Sequence, residues 1–178
     1  GDLIQIGDDG YSPEKKEYDL FTQKVLDPLL NHLTLTYNDF FLCPGNHDIQ
    51  RSKIDKVIEA GQKSLLVDRE SVNRLLDDYP DNHINFARME NYNRFYRSVP
   101  NENEFLHNSF YTIYKLLIDD KKIGIACLNT AWRAYGGDDQ DYGNLLIGDR
   151  NISACLDSMR DCNIRIGVAH HPFEYLKE

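Results

Sequence analysis

The sequence predicts an α/β fold, and two kinds of pattern support this prediction. Short apolar runs with the composition of buried strands occur at four places: 39–43, 111–118, 123–129 and 164–169. Segments with apolar residues at helical spacing lie between them, at 20–33, at 152–162 and in several parts of 51–100. Strands that alternate with helices are typical of α/β proteins. We also predict that the chain forms one domain, with a helical insertion at about 51–100.

Composition and charge limit the functional classes. The chain has 178 residues and a formal net charge of −9, and an acidic surface weighs against non-specific binding of nucleic acid. No apolar run approaches the ~18 residues that a membrane-spanning helix needs, so we predict no membrane partner. The four cysteines form no CxxC pair, which favours reduced core cysteines in a cytoplasmic protein.

The first 48 residues predict a strand end, a helix and a second strand. Residues 1–7 form a short apolar stretch between glycines, and Ser12-Pro13-Glu14 is typical of a helix start. The helix predicted over 20–33 contains Pro28, which we expect to restart or kink it. The apolar run Phe40-Phe41-Leu42 predicts a buried strand that ends at Pro44-Gly45.

Three apolar stripes at helical spacing predict the helices of the insertion. The first stripe comprises Ile54, Val57, Ile58 and Gly61, the second comprises Val72, Leu75, Leu76 and Tyr79, and the third comprises Phe86, Met89, Tyr92, Phe95, Tyr96 and Val99. Arg88, Arg94 and Arg97 interleave with the third stripe. We interpret these arginines as a solvated face above packed aromatic residues, with a surface for nucleic acid or phosphate as the alternative.

The second half of the chain predicts a hairpin, a helix and a last strand. The runs 111–118 and 123–129 flank a charged turn and read as a β-hairpin. A helix over 152–162 places four residues inward: Ala154, Cys155, Met159 and Cys162. The run 164–169 is almost entirely apolar, which predicts a strand covered on both faces.

Polar side chains suited to metal binding accompany three of these apolar stretches. They are Asp2, the run Asn46-His47-Asp48, and the pair His170-His171. A carboxylate, an amide and an imidazole form a mixed oxygen and nitrogen donor set, which suits manganese, iron, zinc or nickel. An ordinary surface turn remains the alternative for residues 46–48, and one structural and one capping or exposed histidine remain the alternative for the pair.

In these three places the sequence resembles the calcineurin-like metallophosphoesterases. Residues 1–7 match the family's Gly-Asp-x-x-x-x-Gly loop, and Gly45-Asn46-His47-Asp48 matches its Gly-Asn-His-Asp/Glu loop. His170, within Ala169-His170-His171-Pro172, matches the histidine that follows a strand. The resemblance implies a layered α/β/β/α sandwich and a phosphoester hydrolase with a dinuclear metal site and a bridging water as nucleophile.

The resemblance also implies a ligand set. Asp2 would bridge two divalent cations, and Asn46 and His170 would ligate the second of them, with His171 as the second choice. Manganese is the favoured metal, and iron, zinc and nickel are alternatives. These roles require Asp2, Asn46 and His170 to converge in the folded protein.

Two further residues receive catalytic roles from the resemblance. His47 would act as general acid or stabilise the transition state near the leaving oxygen, and Asp48 would orient it. The implied substrate is a phosphomonoester or a phosphodiester, including a nucleotide or nucleic acid. A non-catalytic regulatory or interaction domain with the same fold is the alternative, and homo-oligomerisation stays open.

The chain also departs from the family pattern. The family's first motif, Asp-x-His, and its last, Gly-His-x-His, have no match, and Gln5 stands where many members have aspartate. We therefore expect the chain to be the central part of a domain, truncated at both ends and taken from a longer multidomain polypeptide. We expect this segment alone to lack full activity.

Overall fold

A computed structural model describes residues 2–4, 15–78, 86–135 and 138–177. The predictions for Gln5, for the helix start at Ser12-Pro13-Glu14 and for Tyr79 lie outside these ranges. Within them, the architecture is mixed α/β around a four-stranded sheet, as predicted at the level of fold class.

The sheet has the order β1-β2-β3-β4. Its strands are β1 (Glu104–His107), β2 (Tyr111–Ile118), β3 (Lys121–Leu128) and β4 (Ile164–Ala169). The first three strands pair antiparallel, and β4 pairs parallel with β3. Asp119 and Asp120 have φ of +47° and +62° and join β2 to β3, as in the two-residue turns that match the twist of a hairpin. The predicted hairpin is therefore confirmed.

The described ranges also contain α-helices. They are α1 (Lys15–Phe21), α2 (Asp27–Leu33), α3 (Lys56–Leu65), α4 (Arg69–Asp78), α5 (Glu90–Ser98), α6 (Asp138–Asp141) and α7 (Asp149–Ser158). A π-helical turn, Thr22–Leu26, joins α1 to α2, and Pro28 lies in the first turn of α2. Proline lacks an N–H and fits a first helical turn, so the predicted restart at this residue is confirmed.

The aromatic stripe over residues 86–99 forms much of the core, as predicted. Its six members are all buried, with Met89 only 1% exposed. The Phe95 ring stacks on Tyr18 of α1 with centroids 4.9 Å apart. The helix predicted over 152–162 is α7, which begins earlier and ends at Ser158. Of its four predicted inward residues, Cys155, Met159 and Cys162 are buried and Ala154 is partly buried.

The predicted strand at 39–43 is wrong. A short 3-10 turn, Tyr37–Asp39, occupies its start and is fixed by a reciprocal capping box between Thr36 and Asp39. Residues 40–45 then run without a strand assignment, yet Leu42 and Cys43 are buried. The apolar run is therefore explained by burial against the sheet, where the Cys43 thiol lies 3.3 Å from the Leu128 carbonyl oxygen, and not by strand pairing.

The prediction that both faces of 164–169 are covered is also wrong. The run forms β4 as predicted, but Ile164 is 44% exposed and Ile166 is 42% exposed. Within the described part of the chain, β4 is an edge strand with β3 as its only partner. An apolar sequence thus identified the strand but not its surroundings.

The first apolar stripe does not form the inner face of α3, so that prediction is wrong. The prediction that Arg88 is solvated is also wrong. Val57 is 82% exposed, whereas Glu59 and Gln62 are buried. Glu59 faces inward because its carboxylate binds the guanidinium groups of Arg88, at 2.5 Å, and Arg133, at 2.6 Å. A buried ion pair has replaced the apolar contact that the periodicity predicted.

The composition of the chain led to predictions about its cysteines and about membrane-spanning helices. All four cysteines are free and buried, in agreement with the predicted reduced core cysteines. Burial raises the pKa of Cys127 to about 12, so its thiol stays protonated near neutral pH. In the ranges that the structure describes, no helix combines the length and the apolar character needed to cross a bilayer.

Candidate functional site

The site lies where the carboxyl ends of β3 and β4 meet. These two strands are parallel, with Leu128 paired to Ala169, so the residues that follow each strand emerge at the same edge of the sheet. Such edges carry the functional loops of α/β proteins. The extended segment 40–45 runs to the same edge, where Cys43 also contacts the Val168 carbonyl oxygen at 3.7 Å.

The three predicted metal ligands converge there. The Nε2 atom of His170 lies 2.9 Å from Oδ1 of Asn46 and 3.5 Å from Oδ1 of Asp2. These residues come from three separate parts of the chain, with 124 positions between Asn46 and His170. All three are partly accessible, so the structure places a carboxylate, an amide and an imidazole together at an open edge.

Gly45 and His47 fix the position of Asp2. The backbone N–H of His47 donates a hydrogen bond of 3.0 Å to Oδ1 of Asp2. A Cβ atom on Gly45 would overlap both the carboxylate and the backbone nitrogen of Asp2. Glycine is therefore required at position 45 for Asp2 to approach this turn so closely.

Asp48 holds the same turn from inside the protein and is fully buried. Its carboxylate accepts hydrogen bonds from the backbone N–H groups of Gly45, at 2.9 Å, and Leu3, at 3.4 Å, and from the Tyr18 hydroxyl at 3.3 Å. Burial raises the pKa of Asp48 to about 7; the Gly45 bond opposes the rise and the Asp2 carboxylate adds to it.

The role predicted for Asp48 needs a correction. No hydrogen bond among the described residues links its carboxylate to the imidazole of His47, so it does not orient that ring. Asp48 instead ties residues 2–4 to the turn at 45–48. The cause is its position one residue after His47, which directs its side chain into the core while His47 stays half-buried.

The ring of His47 has one nitrogen without a partner. Its Nδ1 atom is buried and forms no hydrogen bond with any described residue. A shielded polar atom without a partner is costly, and a bound water, an ion or a catalytic role can account for one. Other buried atoms of the described residues, among them Nε of Arg133 and Nε2 of His171, also lack a partner, so this atom alone does not identify a ligand site.

The two histidines after β4 face different surroundings. The Nδ1 atom of His171 lies 2.7 Å from the hydroxyl of the buried Thr130, so this second-choice ligand holds the two loops together. Burial lowers the pKa of His171 to about 4, and His170 lowers it further. Burial also lowers the pKa of His170, against the opposing effect of Asp2. The lowered pKa of each ring favours the neutral imidazole, which is the form that binds metals.

The donor set fits a first-row divalent cation. Ligands about 2.1 Å from a metal stand about 3.0–3.4 Å apart in octahedral or tetrahedral geometry, close to the two distances measured from His170. No group of three or more His, Cys, Asp or Glu side chains in the described ranges has a metal-binding arrangement. The present set contains only two such side chains, because its third donor is the amide of Asn46.

Two residues of the site were not predicted from the sequence. Tyr18 lies on a helix and bonds to Asp48, and no local pattern distinguishes it from other core tyrosines. Thr130 follows β3, and its bond to His171 arises from the pairing of β3 with β4, which no local sequence pattern indicates.

Comparison of the chain with models of known families, with curated proteins and with solved structures gave no match. The motifs and the arrangement of Asp2, Asn46 and His170 are therefore the features that bear on function.

Proposed function

We propose that the protein is a metal-dependent phosphoester hydrolase of the calcineurin-like metallophosphoesterase type, with the layered α/β/β/α sandwich of that family. The observation that supports this best is the convergence of Asp2 and Asn46 on Nε2 of His170, at 3.5 and 2.9 Å. Three segments distant in sequence each contribute a metal-compatible donor at the edge of a sheet where α/β enzymes place their sites.

Asp2, Asn46 and His170 hold the cations in this proposal. The Asp2 carboxylate would help to hold the cations, and its negative charge would reduce their mutual repulsion. Asn46 ligates through a neutral oxygen and adds no negative charge, so the site stays net positive for an anionic substrate. When bound, the cations supply Lewis-acid stabilisation of the charge that develops on the phosphoryl oxygens. Manganese is the first choice, with iron, zinc and nickel as alternatives.

His47 provides the proton for the leaving group. Its backbone N–H bonds to Asp2, so His47 lies next to one of the proposed ligands. A positioned imidazole typically contributes about 10²–10⁴-fold as a general acid. Asp48 and Gly45 act indirectly, by fixing the turn that carries both Asn46 and His47.

The substrate is a small phosphomonoester or phosphodiester, including nucleotides. Arg88 is fully buried in its ion pair, so the basic surface considered for residues 88–97 loses one of its three arginines. The chain is acidic overall, with a net charge of −9, and this disfavours long polyanions.

The function is tested by hydrolysis of bis(p-nitrophenyl) phosphate by the full-length polypeptide. We expect turnover with added Mn²⁺, loss of turnover in a chelator, and recovery when Mn²⁺ is restored. His170→Ala should abolish both hydrolysis and Mn²⁺ binding, whereas His32→Ala, which alters an exposed histidine on α2, should leave both unchanged.

A second function is favoured by one specific observation. Because Asn46 already lies within hydrogen-bonding distance of His170, the same residues would also serve as a structural lock in a non-catalytic interaction domain. A folded wild-type protein that neither binds Mn²⁺ nor hydrolyses the diester would favour this second function.

A further inference from the structure

A cavity of about 440 Å³ lies away from the proposed metal ligands. It is an open cleft lined by α3, by the segment that follows β3 and by the chain beyond β4, and none of Asp2, Asn46, His47 or His170 lines it. Its volume falls in the range of about 300–1,000 Å³ that is typical of sites for small molecules.

Cations dominate the wall of this cavity. Four of the lining residues are basic and two are acidic. The basic residues are Lys56, Lys63, Arg133 and Lys177, and the acidic residues are Glu59 and Asp141. The Glu59 carboxylate is already engaged by two guanidinium groups, one of which belongs to Arg88 behind the wall. On a chain with a net charge of −9, this is a local reversal of sign that would concentrate anions.

Two of the cations are held in place and two are free to move. The Arg133 side chain is 8% exposed and bonds to Glu59 at 2.6 Å, and the Nζ atom of Lys177 donates to the Leu66 carbonyl oxygen at 3.2 Å. Lys56 and Lys63 are exposed on α3 and form no ion pair with any described residue. Fixed and adjustable cations around one cavity suit an anion with several oxygens.

The rest of the wall would accept an organic group. Tyr135 offers a half-buried ring, and Ala60 and Leu66 offer apolar surface. The side-chain amide of Gln140 adds hydrogen-bonding capacity at the same wall, whereas Nδ2 of Asn144 already donates to the carbonyl oxygens of Gln140 and Tyr142. A few polar groups on a partly apolar wall are the usual composition of a small-molecule site.

We propose that this cavity binds a small phosphate-bearing molecule, with the phosphate between Lys56, Lys63 and Arg133. The proposal does not depend on the metal site, because it uses different residues and needs no hydrolysis. The ligand class is a nucleoside phosphate, a sugar phosphate or free phosphate, and these share the same anionic group.

Calorimetry on the full-length protein in chelator tests the proposal. Adenosine 5′-monophosphate, ribose 5-phosphate, inorganic phosphate and adenosine serve as probes. We expect at least one phosphate-bearing probe to bind, adenosine to fail, and added salt to weaken the binding. The tightest of the three phosphate probes identifies the source of the group.

Charge reversal on exposed residues supplies the variants. Lys56→Glu and Lys63→Glu should each weaken binding roughly tenfold. Lys121→Glu, at the exposed hairpin turn and outside the cavity, is the matched control and should have no effect. The proposal is overturned if no phosphate probe binds the folded protein, if adenosine binds as tightly as its monophosphate, or if both α3 variants retain wild-type affinity. Loss of metal-dependent hydrolysis would leave these results unchanged, so the two proposals fail separately.

Discussion

Replacing Glu59 with glutamine is expected to lower the free energy of unfolding by about 3–5 kcal/mol, as when one partner of a buried ion pair is removed. The carboxylate stands between two guanidinium groups whose side chains are 0% and 8% exposed. A neutral amide would leave both cations without a counter-charge at this position. Urea denaturation of the wild type and of Glu59→Gln measures the difference.

The effect should depend on pH. Burial acts to raise the pKa of Glu59, but hydrogen bonds from Arg133 and Arg88 outweigh it and hold the pKa below its usual value. A carboxylate with a lowered pKa in the folded state stabilises fully above its unfolded pKa of about 4.3, and the stabilisation is lost as the pH falls through the folded pKa. The difference between wild type and Glu59→Gln should therefore shrink below about pH 4.

A surface pair provides the control for Glu59→Gln. Glu90 and Arg94 form an exposed i,i+4 ion pair at 3.3 Å, so Glu90→Gln should change stability by less than about 0.5 kcal/mol. If Glu59→Gln and Glu90→Gln lower the free energy of unfolding by equally small amounts, the buried ion pairs do not stabilise α3. The inward orientation of Glu59 would then have another cause.

His47→Ala is expected to lower kcat for phosphodiester hydrolysis by about 10²–10⁴-fold while Mn²⁺ affinity stays near the wild-type value. The backbone N–H that bonds to Asp2 remains in the variant, so the ligand positions should persist. Only the proposed proton donor is removed. Steady-state kinetics together with Mn²⁺ titration separates the two effects.

The leaving group gives a sharper test of the role of His47. A p-nitrophenolate leaves readily without a proton, whereas a phenolate depends more on the acid. The loss in His47→Ala should therefore be greater for a phenyl ester than for a p-nitrophenyl ester. Equal losses with both leaving groups, or a parallel loss of Mn²⁺ binding, would assign His47 a structural role.

Local patterns determined which elements of the fold could be predicted. The hairpin of β2 and β3 follows from two apolar runs around a turn, and the aromatic stripe over 86–99 follows from helical spacing. The inner face of α3 could not be predicted, because it is selected by Arg133, which lies 74 positions away from Glu59. The exposure of β4 depends in the same way on its neighbours and not on its own residues.

The candidate site shows the same difference between features that follow from local sequence and features that depend on distant residues. Asp2, Asn46 and His170 were identified as chemistry-bearing residues from their motifs, and the structure brings them together. The bond between Thr130 and His171 could not be predicted, since it exists only through the pairing of β3 with β4. The cationic cavity likewise needs three distant segments and has no sequence motif.

Titration of Mn²⁺ into isotope-labelled protein, followed by nuclear magnetic resonance, tests the metal site most directly. Paramagnetic Mn²⁺ broadens signals close to it. The imidazole signals of His170 and His47 and the side-chain amide of Asn46 should disappear at substoichiometric Mn²⁺, while those of the exposed His32 should persist. Signals of His170 and Asn46 that stay sharp while Mn²⁺ exceeds the protein would contradict the proposed metal site.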